Sequence, residues 1–232
     1  MIKAAHHPFH ENFFGAYLWM HMRLAFRHIR IHNNFTDNGN PTLLIGNHFS
    51  WWDGFIARHV NIKVLKRKLH LMMDEEQLAK RMFLRRLGAF GIKKNNRSAI
   101  ESIHYASSIL NDPGNLLVLF PQGRFQSLHQ QPLSFEKGWF RIIQEAPPDI
   151  QIVFLAALTD YFSSPRPGLD IYLESVSSET ISTCKKYLHA DHPGEKLPGD
   201  NNASQFTKDA KALEKTYNEF YKRVINIQDA NL

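Results

Sequence analysis

Short apolar runs recur along this chain between stretches of helical periodicity, and this alternation most constrains how it can fold. Runs this short are typical of buried strands, whereas longer amphipathic stretches are typical of helices. We predict strands at residues 42–46, 69–73, 116–120, 152–158 and 169–173. Strands that alternate with helices favour a parallel sheet. The expected fold class is therefore α/β, a single domain with a mainly parallel central sheet flanked by helices.

The helical stretches are predicted at residues 11–32, from about 51, at 75–87, from about 98, at 134–145 and at 204–227. The first is amphipathic, because apolar side chains recur near helical spacing with arginines between them. A turn-rich break follows at residues 33–41. We therefore divide the chain into an N-terminal helical segment, residues 1–40, and a main domain, residues 41–232.

Composition excludes several classes of protein. The single cysteine, Cys184, rules out a disulfide framework and a multi-cysteine metal site, and it suits a reducing compartment. No window of 18 apolar residues indicates a transmembrane helix, and no cleavage site for a signal peptide follows the apolar run near the N-terminus. Residues 58–97 hold 12 basic and 3 acidic side chains. Such a block indicates an anionic partner.

Two predicted strands end in polar motifs at the edge where parallel sheets hold their ligands. The first strand is followed by His48 and, five residues on, Asp53. A histidine oriented by a carboxylate is a general base. The spacing alone does not separate this pair from a capping box with Ser50 as N-cap, and it occurs again at His32 and Asp37. The second strand ends in the sequence Phe-Pro-Gln-Gly, residues 120–123.

Together these motifs resemble the sequence blocks of the glycerolipid acyltransferases. Residues 47–53 match the first block of that family, N-H-x-S-x-x-D, at each fixed position. Gly91 and Arg97 match a second block, a glycine followed six residues later by an arginine. Residues 120–125 match in part a third block, F-P-E-G-T-R, and a Lys-Gly pair follows at 137–138. The order of the blocks also agrees, and the resemblance covers about residues 40–160.

The resemblance implies an acyltransferase that moves a fatty acyl chain from acyl-CoA or acyl-ACP to the hydroxyl of a lyso-lipid. His48 would be the general base and Asp53 its orienting partner, in a direct transfer that needs no cofactor and no metal. The main domain would then be an acyltransferase domain that serves phospholipid biosynthesis. The implied substrate-binding residues are Asn47, Ser50, Gly91, Arg97, Phe120, Pro121, Gln122, Gly123 and Arg124.

The sequence departs from the family where arginines are associated with the acceptor phosphate. The glutamate of the third block is Gln122, and the threonine and arginine after the glycine are Arg124 and Phe125. Arginine binds phosphate through a planar fork, so its position matters. Three alternatives stay open. The acceptor is a lysophosphatidate, with Arg124, Lys93 and Lys94 replacing the missing contact, or it is a glycolipid, aminolipid or other hydroxylated lipid, or the chain is a non-catalytic lipid-binding protein.

Because the implied substrate is a lipid, the basic block and the aromatic N-terminal segment are candidates for binding a membrane surface. Near an anionic membrane surface each Lys or Arg contributes about 1 kcal/mol, and an amphipathic helix can lie in the interface. We therefore expect a cytoplasmic protein associated peripherally with the inner face of the membrane. A nucleic-acid partner is not expected, because no recognition module is present. Trp51 and Trp52 fit either a lipid entrance or core packing, and His28 with His32 is a weak metal signal.

Overall fold

The strands predicted from the apolar runs lie side by side in one sheet. The computed structural model describes residues 1–93, 96–177, 180–181 and 200–230, without the side chains of residues 96–97 and 200–205. The described residues form a seven-stranded sheet. Its strands are β1 (Ile29–Asn34), β2 (Thr42–Gly46), β3 (Lys68–Asp74), β4 (Ala89–Ile92), β5 (Asn115–Leu119), β6 (Gln151–Asp160) and β7 (Gly168–Ser175).

Helices connect these strands and cover the sheet. They are α1 (Pro8–Ala25), α2 (Asp53–Val60), α3 (Glu75–Ala79), α4 (Asn96–Ile109), α5 (Phe140–Glu145) and α6 (Asp200–Ala230). A π-helical turn, Asn61–Leu65, continues α2, and a 3₁₀ helix, Met82–Leu87, follows α3. Cys184 lies outside the described residues.

The strand order β1-β7-β6-β2-β5-β3-β4 makes the sheet mainly parallel. Strands β2 to β6 run in one direction, since their neighbouring pairs are all parallel. Strand β7 pairs antiparallel with β6 and parallel with β1, so those two strands run the other way. The α/β fold class predicted from the sequence is confirmed. The arrangement also places β2 directly beside β5, which decides where the site lies.

Two apolar cores form on opposite faces of the sheet, because successive side chains of a strand point to opposite faces. Leu43 and Ile45 of β2 pack in the core beneath α4, α5 and α6. Leu44, between them, packs in the core beneath α1 and α2. Both faces of β2 are thus buried, which explains its continuous apolar sequence. The fully buried Tyr217 of α6 donates a hydrogen bond from its hydroxyl to the Leu155 carbonyl at 2.6 Å.

The prediction of one helix over residues 11–32 is wrong at its end. Helix α1 stops at Ala25, and Ile29–Asn34 is strand β1, which pairs with β7. Ile29 and Ile31 alternate with polar residues, a period of two that suits a strand with one buried face. Both isoleucines pack against the core beneath α1 and α2. Pairing with β7, whose partner residues lie 140 positions further along the chain, overrides the local helical spacing.

Two predicted helices are shorter in the structure, and one strand was not predicted. In place of the helix predicted at 75–87, α3 stops at Ala79 and a 3₁₀ helix follows at Met82–Leu87, which ends at Gly88 with a φ of 96°. The helix predicted at 134–145 is only α5, Phe140–Glu145. The four-residue strand β4 was not predicted, because Gly91 interrupts its short apolar run.

The N-terminal residues cover the outer edge of β4, the last strand of the sheet. The Gly91 amide on β4 donates to the Ile2 carbonyl at 2.8 Å, on the side away from β3. The Ala5 and His7 amides donate to the Arg85 and Arg86 carbonyls of the 3₁₀ helix, at 2.9 and 3.1 Å. Residues 2–7 thus form an edge cover that fills hydrogen bonds an edge strand would otherwise expose.

Candidate active site

The carboxyl ends of β2 and β5 bring the two polar motifs of the sequence together. These strands are neighbours in the parallel sheet, with Ile45 opposite Leu119. The segment after β2 carries Asn47 and His48, and the segment after β5 carries residues 120–126. The backbone joins them directly, because the Gln126 amide donates to the His48 carbonyl at 2.8 Å. This is the edge at which ligand sites of such sheets gather.

His48 and Asp53 form a hydrogen-bonded pair. The distance from His48 Nδ1 to Asp53 Oδ2 is 2.6 Å. The same Oδ2 atom accepts the Phe49 and Ser50 amides at 2.9 and 3.0 Å. The carboxylate is therefore fixed by three donors at the start of α2. Asp53 serves both as the cap of the local turn and as the partner of His48, so the two interpretations of the spacing hold together.

Burial distinguishes the two members of the pair. The Asp53 side chain is 2% exposed, whereas the His48 ring is 25% exposed. Burial raises the pKa of the Asp53 carboxyl, against the opposing effect of its hydrogen bond to His48. Among the described residues, the second oxygen of Asp53, Oδ1, has no hydrogen-bond partner. The carboxylate is thus shielded from solvent, and its Oδ2 atom faces the imidazole.

Aromatic rings flank the His48 imidazole. The ring stacks on Phe120, with centroids 5.0 Å apart and planes 15° apart. Phe125 lies on it at a tilt, with centroids 4.4 Å apart, and is itself exposed. Because Nδ1 binds Asp53, the Nε2 atom is left as the acceptor, and it has no hydrogen bond to any described residue. The histidine thus offers one basic nitrogen at an apolar opening.

Two buried glutamines clamp the backbone of His48. The His48 amide donates to Gln122 Oε1 at 2.5 Å, which fixes the orientation of that side-chain amide. Gln122 Nε2 then donates to Gln126 Oε1 at 3.0 Å. Gln126 also exchanges two 3.4 Å bonds with the Ser134 backbone. The clamp could not be predicted from the sequence, since no motif marks a glutamine four residues after Gln122.

Gly123 turns the loop after β5 through a conformation that favours glycine. Its φ is +65°, and its amide donates to the Phe120 carbonyl at 3.2 Å. A Cβ atom at this position would lie 2.9 Å from Cγ of Glu136. The neighbouring Pro121 carbonyl accepts the Glu136 amide at 2.8 Å, which anchors the turn to the following segment. The Phe-Pro-Gln-Gly motif is thus a rigid turn beside His48.

Asn47 and Ser50, which were predicted to bind substrate, make hydrogen bonds within the protein. Asn47 Nδ2 donates to the Ala157 carbonyl at 2.9 Å, and its Oδ1 accepts the Ala157 amide at 2.8 Å. The Ser50 hydroxyl oxygen accepts the Trp52 amide at 3.1 Å. Asn47 therefore ties the His48 loop to β6, and Ser50 shapes the turn into α2.

The basic and glycine residues of the other blocks lie on the loop after β5, on β4 and in the segment that leads into α4. Arg124 is exposed on the loop after β5 and forms no ion pair with a described carboxylate. Arg97 lies in the first turn of α4, which begins at the same sheet edge, but its side chain is outside the described part of the chain. Lys94 also lies outside it, and Lys93 pairs with Glu75 at 3.4 Å. Gly91, on β4, would place a Cβ 2.8 Å from Glu75 Cγ.

The two tryptophans after the His48 loop differ in burial, and the histidine pair of β1 and its preceding segment binds a carboxylate. Trp52 packs against Phe26 at the end of α1, with ring centroids 5.5 Å apart, whereas Trp51 is exposed. His28 and His32 both bind Asp170, at 3.2 and 2.9 Å. Among the described residues, no group of three or more His, Cys, Asp or Glu side chains could hold a metal ion.

The family comparison covers both strand ends that carry these residues. A family model described as Acyltransferase matches residues 28–157, more than half of the chain and the span from β1 into β6. The protein is thus an acyl-transferring enzyme. It belongs to the Acyltransferase family, the glycerolipid acyltransferases that its sequence blocks resemble. A comparison with curated proteins finds no match. None of the described helices is both long enough and apolar enough to span a bilayer.

Proposed function

We propose that this acyltransferase moves a fatty acyl chain from acyl-CoA or acyl-ACP to the hydroxyl of a lyso-lipid, with His48 as general base. The observation that carries the proposal is the His48–Asp53 pair at the edge shared by β2 and β5. The buried carboxylate accepts a hydrogen bond from the Nδ1–H group, which leaves Nε2 unprotonated and able to accept a proton from a hydroxyl. No bound cofactor or metal is required for this transfer.

The proposed reaction is a direct displacement at the thioester. His48 Nε2 takes the proton of the acceptor hydroxyl as the hydroxyl oxygen bonds to the acyl carbon. The carbon–sulfur bond then breaks, and the thiolate leaves with the proton that His48 returns. Asp53 stabilises the imidazolium formed between these two proton transfers. General-base catalysis of this kind contributes roughly 10²–10⁴ to the rate.

The acceptor that we favour is a lysophosphatidate-like lipid used in phospholipid biosynthesis. Arg124 is exposed on the loop that carries Gln122 and Gly123, without an ion pair to a described carboxylate. Arg97 lies in the first turn of α4, and this helix begins at the same sheet edge. An arginine left unpaired beside a general base suits the phosphate of such an acceptor. A glycolipid or aminolipid acceptor would not need this charge.

The outer surface of α1 has exposed apolar side chains that support membrane association. One helix face leaves five large apolar side chains exposed at intervals of three or four residues, the α1 stripe: Phe9, Phe13, Tyr17, Met20 and Leu24. Leu18 and Met22 face the protein core instead. The end of α1 reaches Trp52, next to the exposed Trp51 at the site. A stripe of this kind favours an interfacial position, with lipid substrate reaching the site along it.

Thiol release measures the proposed reaction. Purified protein is given palmitoyl-CoA, or palmitoyl-ACP in a parallel series, with lysophosphatidate, other lysophospholipids, lyso-glycolipids or aminolipids in micelles. We expect release that depends on the acceptor and falls at least a hundredfold in His48→Ala. The control is His129→Ala, because His129 is an exposed histidine on the loop after β5.

Two results would contradict the proposal. If His48→Ala retains more than a hundredth of wild-type turnover, His48 is not the base. If no donor and acceptor combination gives release while lipid still binds, a non-catalytic binding protein replaces the proposed reaction. Circular dichroism of each variant separates a lost base from a lost fold.

A further inference from the structure

A basic cavity lies at the far end of α2, away from the site that begins at Asp53. Helix α2 has eight residues and is therefore roughly 12 Å long. A cavity of about 280 Å³ opens where it ends and passes into the π-helical turn. The cavity is lined by His6, Glu11, Arg58, Asn61, Ile62, Lys66, Arg67, Lys68, Leu69 and Leu87.

Two lysines of this cavity have no ion-pair partner among the residues that the structure describes. The Lys66 and Lys68 side chains are exposed, and neither forms a hydrogen bond or ion pair with any residue that the structure describes. Lys66 adopts a left-handed backbone (φ 53°) where the π-helical turn ends, and its amide donates to the Asn61 carbonyl at 2.6 Å. The backbone around Lys66 is thus held in a defined conformation, while its charged end is free.

The other charged groups of the lining have protein partners. Arg67 donates to the Pro113 carbonyl at 2.7 Å and pairs with Asp37. The Glu11 carboxylate binds His6 Nδ1 at 2.7 Å. Arg58 Nη2 donates to the Glu11 carbonyl at 2.6 Å, and the guanidinium has no ion pair with a described carboxylate. Burial lowers the Arg58 pKa, and the charge of the neighbouring Glu11 offsets this effect only in part.

The volume of the cavity and the residues around it limit the class of ligand that it can bind. A volume of about 280 Å³ lies just below the range of roughly 300–1,000 Å³ for drug-sized ligands, so it suits a headgroup and not an acyl chain. The exposed Ile62 lines the cavity. Glu11 lies two residues from Phe9 and from Phe13, so it is on a different face of α1 from the α1 stripe. The cavity is thus mainly cationic, with Ile62 as an exposed apolar residue of its wall.

We infer that this cavity is a phosphate-binding site, separate from the catalytic edge, in which Lys66 and Lys68 bind the anion with Arg58 behind them. Lysine acts toward phosphate as a point charge, which fits two free ammonium groups on a shaped wall. The phosphate belongs either to a membrane lipid headgroup or to a soluble phosphate compound. The inference does not depend on the proposed acyl transfer, because its tests measure binding.

The first test uses inorganic phosphate and thermal unfolding. At ten times the dissociation constant, phosphate should raise the Tm of the wild type by roughly 3–6 °C over chloride at equal ionic strength. Lys66→Gln/Lys68→Gln should lose this shift. The control Lys63→Gln/Lys80→Gln removes two nearby exposed lysines that do not line the cavity, and it should keep the shift. An equal shift in all three proteins would overturn the inference.

The second test identifies the source of the phosphate. Sedimentation with phosphatidylglycerol vesicles should be roughly thirtyfold weaker for Lys66→Gln/Lys68→Gln than for the control if the ligand is a lipid headgroup. Loss of the thermal shift with unchanged vesicle binding would support the site and assign it to a soluble phosphate. Equal losses in both double variants, with the thermal shift intact in both, would reduce the cavity to general surface charge.

Discussion

Replacing Asp53 by asparagine separates its catalytic contribution from its role as a helix cap. The amide oxygen of Asp53→Asn can still accept the Phe49 and Ser50 amides, which bind Oδ2 at 2.9 and 3.0 Å. What disappears is the charge facing His48 across 2.6 Å. A hydrogen bond to a charged group contributes roughly 1.5–3 kcal/mol. If that stabilisation is realised as His48 takes the proton, kcat/KM falls roughly 10- to 150-fold.

Stability should respond in the opposite sense. The pKa of Asp53 is raised above its ordinary value of 3.8, chiefly by burial. A raised carboxyl pKa means that this group favours the fold below its unfolded pKa, and that the contribution is lost as pH rises through the folded pKa. Asparagine does not titrate. The free energy of unfolding of Asp53→Asn should therefore gain on that of the wild type between pH 3.5 and pH 7.

The assay is acceptor-dependent thiol release, with urea unfolding at both pH values. Asp74→Asn is the matched control, because Asp74 caps α3 by accepting the Glu76 and Gln77 amides at 3.0 and 3.1 Å and has no histidine partner. The control should keep wild-type kcat/KM. If Asp53→Asn keeps at least half of the wild-type kcat/KM, Asp53 is only a cap and the reasoning about the pair fails.

Three further changes test other parts of the structure. Gln122→Glu should lower the free energy of unfolding by about 1–3 kcal/mol, because its amide donor in the buried clamp is lost. The loss should be larger at pH 8 than at pH 4, since burial raises a carboxyl pKa. Gly123→Ala should lower the free energy of unfolding by about 1–2 kcal/mol, because alanine resists a φ of +65°. Phe9→Ala/Phe13→Ala should weaken vesicle binding and change the free energy of unfolding by less than about 0.5 kcal/mol for each exposed ring.

Each of these predictions has a control variant or a result that would contradict it. Equal stability of Gln122→Glu and wild type at both pH values would contradict the clamp. Gly138→Ala is the control for Gly123, because its Cβ would have nothing within 4 Å. Ile100→Ala/Ile227→Ala removes exposed apolar side chains from α4 and α6, on the other face of the sheet. If that double variant loses as much vesicle binding, the α1 stripe is not the membrane surface.

The central strands could be predicted because burial on both faces leaves a continuous apolar run, as in Leu43, Leu44 and Ile45. Strand β1 could not be recognised, because its residues also fit the spacing of the preceding helix and its pairing with β7 is distant in sequence. Tertiary pairing decided between two local patterns of similar strength.

Part of the candidate site could also be predicted from the sequence, and part of it depends on contacts between distant residues. The juxtaposition of His48 with the Phe-Pro-Gln-Gly turn followed from strand ends meeting at one edge. The bonds of Asn47 to Ala157 could not be predicted, because they join residues 110 positions apart. Gln126 was missed for the same reason, since its role depends on how two loops approach each other.

The edge cover formed by residues 2–7 has a consequence for handling the protein. It hydrogen-bonds to β4 through Gly91 and to the 3₁₀ helix through Arg85 and Arg86. Deleting it would leave a row of backbone donors and acceptors on β4 open to the same strand of another molecule. A shortened chain should therefore self-associate through its sheets, so a fusion partner is better joined after α6 than in place of these residues.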